Sequence, residues 1–301
     1  MNIPNEKIKL PVLQENGLSL VVKREDLTHP IVSGNKYRKL KYNLQEAREN
    51  GYKALLTFGG AYSNHIAATA HAGFENGFQT IGIIRGEELE FKWRENPTLY
   101  SAHRAGMQFH FVSRKAYRQK ATPAFLSDLK EKWGAFYLLP EGGTNALAVK
   151  GCEEILQPKD RDFDVIAACV GTGGTLAGLI NSAETHQEVL GFPAVRDAGL
   201  KADICNFARK GNWRLVWDYH FGGYAKVTPA LITFINQFKQ DTGISLDPIY
   251  TGKLLFGLLE MVKRREFKPN TRILAIHSGG LQGIEGMNQV LKDKNLPLIE
   301  I

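Results

Sequence analysis

A chain of 301 residues, 43% of them hydrophobic, can bury one large core or two of ordinary size, and it is longer than a purely structural module requires. The formal charge of +7 comes from positive residues spread along the chain, with no recognised nucleic-acid-binding module beside them. No window approaches the roughly 18 apolar residues of a membrane span, residues 1–9 lead into no apolar signal core, and Cys152, Cys169 and Cys205 form neither a disulfide framework nor a close metal-ligand pair, so the expected setting is a reducing cytoplasm.

Alternating apolar residues open a strand over 18–22, followed by polar turn material over 23–29. Gly34, Asn35 and Lys36 precede a helix running from Tyr37 towards Ala47, with apolar positions at Leu40, Leu44 and Ala47. A strand over 54–58 ends at Gly59 and Gly60, and a helix of small residues starts near Asn64. Further strands are predicted over 80–84, 107–112 and 135–139, with a helical region after the first of them. After the loop 140–145 and another helix, residues 165–170 form the clearest buried strand, running into Gly171, Thr172, Gly173, Gly174 and Thr175 ahead of a helix near Leu176. Helices over 231–238 and 252–263 and a strand over 272–276, ending at His277-Ser278-Gly279-Gly280, complete the pattern. The cluster Lys263, Arg264, Arg265 reads as an exposed helix end. Strands interleaved with helices predict an α/β fold of two open twisted sheets sharing a cleft, with ligands beyond the carboxyl ends of the strands.

Several stretches carry chemistry, each with a plainer alternative. Glycines between strand and helix at Gly171 to Thr175 free backbone amides for a phosphate, but the segment lacks a Walker lysine and the dinucleotide fingerprint, so a structural turn is equally open. Lys36 and Lys39 could each supply a Schiff-base amine if burial or neighbouring charge lowers the pKa; taken alone, each reads as surface charge. Ser63, Asn64 and His65 open a helix whose amides can accept a carboxylate, with a serine or asparagine cap as the alternative. No second ligand motif accompanies His65, so no metal is expected. Tyr224 and Tyr250, as isolated aromatics, read as core packing.

Order and separation of five motifs add what none supplies alone. Gly34-Asn35-Lys36-Tyr37-Arg38-Lys39-Leu40, the stretch from Gly59 to His65, Gly142-Gly143-Thr144-Asn145-Ala146, the Gly171 to Thr175 turn, and Asp247-Pro248-Ile249-Tyr250-Thr251-Gly252-Lys253 make the chain resemble the 1-aminocyclopropane-1-carboxylate deaminase and D-cysteine desulfhydrase family, within the tryptophan-synthase-beta-like, fold-type II pyridoxal-phosphate enzymes. The likeness runs from Lys23-Arg24-Glu25-Asp26 to His277-Ser278-Gly279-Gly280. It implies a large cofactor-binding domain of residues 1–49 and 150–301, a small domain of residues 50–149, and a homodimer acting on a small amino acid.

The same resemblance assigns roles. Lys36 would bind pyridoxal 5'-phosphate covalently, with Lys39 as a second amine able to depress its pKa. Asn64 would meet the cofactor's phenolic oxygen, residues 171–175 its phosphate, and Ser278 its pyridine nitrogen. Ser63, Asn64 and His65 would receive the substrate carboxylate, while Tyr224 and Tyr250 face the substrate. For elimination Lys36 would abstract the alpha proton with Tyr250 assisting, whereas ring opening would call on Ser63 and Tyr250 at a ring carbon with Lys36 or Lys39 assisting. Deaminases of the family place Glu after the second tyrosine and Leu before the final Gly-Gly; this chain has Thr251 and Ser278, and His65 in place of a familiar glutamine. These departures favour desulfhydrase-like release of sulfide, pyruvate and ammonia from D-cysteine over ring-opening to 2-oxobutanoate and ammonia, with a noncatalytic cofactor-binding sensor as the other class. The chain is also shorter than typical members between Gly178 and Tyr219.

Overall fold

Short apolar runs and amphipathic helices resolve, in a computed structural model describing Met1 and residues 3–300, into two open sheets. The strands in chain order are β1 (Asn5–Ile8), β2 (Ser19–Lys23), β3 (Ala54–Gly59), β4 (Gln79–Arg85), β5 (Met107–Val112), β6 (Tyr137–Leu139), β7 (Val165–Val170), β8 (Glu188–Pro193), β9 (Trp213–Leu215) and β10 (Arg272–Ile276). The larger sheet has the order β1-β2-β10-β7-β8-β9 and the smaller β5-β4-β3-β6. Only β1 runs antiparallel to its neighbour, with Asn5 opposite Lys23; the other pairings are parallel.

Parallel strands covered on both faces need apolar residues throughout rather than alternation. All six residues of β3 and of β7 are buried accordingly. In β7 the odd and even residues divide between two cores: Val165, Ala167 and Cys169 face one cluster with Phe192, Leu254 and Leu258, whereas Ile166, Ala168 and Val170 face another with Leu176 and Ile180. The smaller sheet carries its own clusters on either face.

Between the sheets lies the helix Asn35–Glu49, which begins against the larger sheet's loops and buries Leu40, Leu44 and Ala47 with Leu55, Ala68 and Leu139 of the smaller. Each buried leucine there is worth about 1.5–3 kcal/mol. Polar anchors fix the start of this helix. Arg38 forms a bidentate pair with buried Glu25, both contacts at 2.9 Å, and the Gly34 amide donates to Glu25 O at 3.0 Å and to Thr28 Oγ1 at 2.9 Å.

Residues 178–219, the expected region of shortening, still form β8 and β9 at one edge of the larger sheet. Lys263, Arg264 and Arg265 are exposed at the end of the helix Thr251–Lys263, as expected. No helix among the described residues is long and apolar enough to cross a membrane, and no group of three or more His, Cys, Asp or Glu among them could hold a metal. Cys152, Cys169 and Cys205 are free thiols, the first two buried.

Candidate active site

Loops leaving the carboxyl ends of β2, β3, β6, β7 and β10 converge between the sheets, where parallel α/β sheets place their ligands. Gly34, just ahead of Lys36, has φ +65° and touches the loop after β10 so closely that a Cβ on it would lie 1.9 Å from Ser278 O. The Asn35 amide donates to that carbonyl at 3.2 Å, and the Asn35 side-chain amide donates to Thr175 Oγ1 at 2.8 Å. Backbone contact with β10 and side-chain contact with the glycine turn thus fix the first turn of the helix. Lys36 Nζ, next along, donates to Asn35 Oδ1 at 3.1 Å. The residue as a whole is half-buried, but its amine sits deep enough that loss of solvent lowers its pKa.

One helical turn on, the Lys39 amine donates to Gly142 O and Thr144 Oγ1, both at 2.9 Å, and more weakly to Thr172 Oγ1 at 3.4 Å. It therefore ties the lysine helix to the turns after β6 and β7. Burial, and then the charge of Lys36, lowers its pKa to about 7. An unfolded chain keeps that proton up to about pH 10.4. Between pH 7 and 10.4 the unfolded state binds the extra proton, so stability rises with pH through this window. Lys39→Met in the cofactor-free protein should reduce that slope by up to about 1.4 kcal/mol per pH unit, measured as urea midpoints from pH 7 to 10. Identical slopes in the two proteins would refute the burial of a titrating amine.

The turn after β7 has the form of an anion cradle. Gly173 adopts φ +82°, and the helix Gly174–Ser182 begins without a side-chain cap. Among the described residues, no backbone acceptor takes the amides of Thr172 or Gly173. Added Cβ atoms would meet Ile204 at 2.7 Å from Gly173 and Thr144 at 2.8 Å from Gly174, so the backbone is held closely on both sides. Free amides at a helix N-terminus suit a phosphate.

Ser63 caps the helix Asn64–Glu75, accepting from the Ile66 amide at 3.3 Å, so the plainer reading of this serine holds and its hydroxyl proton remains available. Asn64 Oδ1 accepts from Gln282 Nε2 at 3.0 Å, which joins the turn after β3 to the loop after β10. His65 is buried, and desolvation followed by the charges of Lys36 and Lys39 holds it neutral. Its Nε2 lies 2.8 Å from Thr57 Oγ1, which donates to Leu139 O at 3.0 Å. In that arrangement Nε2 donates to Thr57, and among the described residues no group lies within hydrogen-bond geometry of the buried Nδ1.

Asp247, in the loop before the helix Thr251–Lys263, orients Tyr250. Its carboxylate accepts from the amides of Ile249 at 2.9 Å and of Tyr250 and Thr251 at 2.8 Å, and from the Thr251 hydroxyl at 2.6 Å. A Cβ on Gly171 would sit 3.3 Å from the Tyr250 hydroxyl, so this phenol stands against the glycine turn. Burial drives its pKa well above the usual value and keeps it protonated. The Tyr224 ring lies 6.3 Å from it, more exposed. Buried Lys253 holds the Tyr224 loop by donating to His220 O at 2.9 Å and Gly223 O at 2.8 Å. Ser278 Oγ lies 3.3 Å from Cys169 Sγ at the end of β10.

Lys36, Lys39, Ser63, Asn64, His65, the 171–175 turn, Tyr224, Tyr250 and Ser278 thus lie on loops and helix starts that gather between the two sheets. Thr57, Asp247 and Lys253 support them without an isolated sequence signal of that role. Asp247-Pro248 reads as an ordinary turn, and Thr57 as one more strand residue. A lysine amine whose pKa burial lowers, beside unpaired loop amides, fits pyridoxal phosphate: Lys36 would take the aldehyde and residues 171–175 the phosphate.

The family profile described as pyridoxal-phosphate dependent enzyme matches residues 2–279. A putative 1-aminocyclopropane-1-carboxylate deaminase of Thermotoga maritima is 32% identical, the match covering 90% of this chain and 91% of that protein. The mitochondrial bifunctional D-cysteine desulfhydrase/1-aminocyclopropane-1-carboxylate deaminase of Arabidopsis thaliana is also 32% identical, over 93% of this chain and 77% of its own. A D-cysteine desulfhydrase of Klebsiella pneumoniae is 28% identical, over 90% of each chain. Among solved structures, one described as an ACC deaminase homologue superposes with a TM-score of 0.84 and 27% identity, covering 97% of this chain and 94% of the other.

Proposed function

Because the chain belongs to the 1-aminocyclopropane-1-carboxylate deaminase and D-cysteine desulfhydrase family of fold-type II pyridoxal-phosphate enzymes, we propose that it converts D-cysteine and water to sulfide, pyruvate and ammonia. Pyridoxal phosphate, when bound, supplies an aldehyde that holds the substrate nitrogen and a ring that spreads charge developing at the alpha carbon. The protein's own groups do the rest. Lys36 Nζ takes the alpha proton, a task made easier by burial, which lowers the pKa of this amine. Ser63, Asn64 and the amides opening the helix Asn64–Glu75 receive the substrate carboxylate, with His65 beside them. Tyr250 retains its proton and donates a hydrogen bond to the departing sulfur, which leaves as hydrosulfide, while Lys39 and Thr172 hold the glycine turn in place. Ser278 offers a neutral hydroxyl to the pyridine nitrogen.

Thr251 carries the choice of substrate. It is fully buried with its hydroxyl committed to Asp247, so the position after Tyr250 presents no acid to the cleft. Without an acid there, the Lys36 amine is the base of this reading, with the Ser63 hydroxyl, the Tyr250 phenol and the Lys39 amine as the other proton-bearing groups around it. The Lys36 amine has an alpha proton to take from D-cysteine, but the ring-bearing carbon of 1-aminocyclopropane-1-carboxylate has none. The name of the Thermotoga relative favours the second reading, ring-opening to 2-oxobutanoate, whereas that of the Arabidopsis relative carries both activities. On the family resemblance, we also propose a cytoplasmic homodimer.

The test is a matched assay of the holoenzyme with D-cysteine, L-cysteine, D-serine and 1-aminocyclopropane-1-carboxylate, following sulfide, ammonia and the keto acid. The expected result is equimolar sulfide and pyruvate, selectively from D-cysteine. Release of 2-oxobutanoate from the cyclopropane acid would reverse the order. An intact cofactor band with no keto acid from any of the four would leave the sensor.

A further inference from the structure

Arg85 is the last residue of β4, so it stands at the carboxyl edge of the smaller sheet, one strand from the turn that opens the helix Asn64–Glu75. A Cβ on Gly60 would come 3.7 Å from its Nη2, which puts the guanidinium directly beside that turn. It lies over the Tyr117 ring, with Cζ 5.8 Å from the centroid. Its charge also reaches Tyr224, on the larger-sheet side of the cleft. Among the described residues, no carboxylate is close enough to pair with it. Glu141, which shares Tyr117 with it, accepts from the Tyr117 hydroxyl at 2.7 Å and faces Lys120 at 3.2 Å, and Glu88 pairs with Arg114 at 2.6 Å.

An exposed guanidinium with no carboxylate costs little in water, and it gains an anion's full hydrogen bonds once a ligand displaces that water. The planar fork suits two oxygens of one group, such as a carboxylate or sulfonate. We propose that Arg85 reads a second negative charge on the substrate, so that the cleft favours small amino acids whose side chain ends in a carboxylate or sulfonate over neutral ones of the same shape. The alpha carboxylate would bind at the turn after β3 and the distal anion at Arg85, beside Tyr117 and Tyr224. This rests on the reading that the cleft takes a small amino acid, and it adds that the far end of that molecule is recognised by charge.

Aspartate and asparagine share a shape and differ in charge, so they separate the two properties. Both enantiomers of each, with cysteate and D-cysteine, would be titrated into the holoenzyme while the visible cofactor band is followed. The wild type should bind aspartate and cysteate about tenfold more tightly than asparagine, equivalent to about 1.4 kcal/mol. The aspartate-to-asparagine ratio should fall to about one in Arg85→Gln and recover in part in Arg85→Lys, with the cofactor band reporting that each variant is folded and loaded. Parity in the wild type, or an unchanged ratio in Arg85→Gln, overturns the assignment of Arg85 while leaving the amino-acid cleft intact if D-cysteine still shifts the band. A band that no amino acid perturbs overturns both.

Discussion

Lys36→Ala is expected to remove the visible band of the lysine-linked cofactor and to lower turnover of the preferred amino acid by about 10³-fold or more, the scale of losing both the covalent attachment and the proton carrier. The case rests on placement. The amine hangs from the first turn of a helix fixed at Glu25, Ser278 and Thr175, and burial lowers its pKa. Lys39, also buried, is engaged by Gly142 O and Thr144 Oγ1, so it is poorly placed to substitute. Thermal unfolding should show the variant folded, because removing a buried amine leaves no stranded partner except Asn35 Oδ1. A Lys36→Ala protein that kept the band and half its activity would move the attachment point to another lysine and dismantle the proposed site.

Gly34→Val should be the most damaging single change outside the chemical groups. Two costs add there: a left-handed backbone that β-branched residues avoid, and a Cβ only 1.9 Å from a backbone carbonyl that cannot move without displacing β10's loop. Together they predict a loss on the order of 3–5 kcal/mol, and each kcal/mol should lower the melting temperature by about 2 °C in a chain of this size. Gly17→Val separates the terms, because Gly17 has φ +62° but open space around its Cβ position. That change should cost about 1–3 kcal/mol, the conformational part alone. Equal melting temperatures for the two variants would show that contact with Ser278 is not tight. Weakened cofactor binding is expected only in Gly34→Val, since only that glycine positions Lys36.

Much of this arrangement was legible in residues whose neighbours in sequence are also their physical context. β3, β7 and β10 are largely apolar runs and β5 an alternating one, and each lies within a residue of its expected span. The glycine turn after β7 and the capped helix after β3 follow from local backbone chemistry as well. β8 was harder to see because Glu188–Pro193 contains Gly191 and ends in proline, both marks of a broken strand. Gly191 is there for packing: a Cβ on it would come 2.5 Å from Leu176 and 2.7 Å from Leu215. Three-residue β9 and half-polar β1 sit at sheet edges, where burial imposes little pattern. Thr57 acts on His65 with its own hydroxyl fixed by Leu139, which is remote in sequence, whereas Asp247 holds Tyr250 through a local turn that by itself names no partner for the phenol. Lys36 and Lys39 read as surface charge when taken alone, and their burial comes from two sheets meeting over them.

The strand order has a consequence for how the protein is made. β2 lies between β1 and β10, so Ser19 waits for Arg272 before the middle of its sheet can close. All of the smaller sheet and β7 leave the ribosome in that interval, and the early strand must be shielded from strangers until β10 follows. Such long-range pairing is slow and leaves adhesive edges in transit. The compact small sheet, complete by Leu139, offers the first firm surface against which the lysine helix can settle.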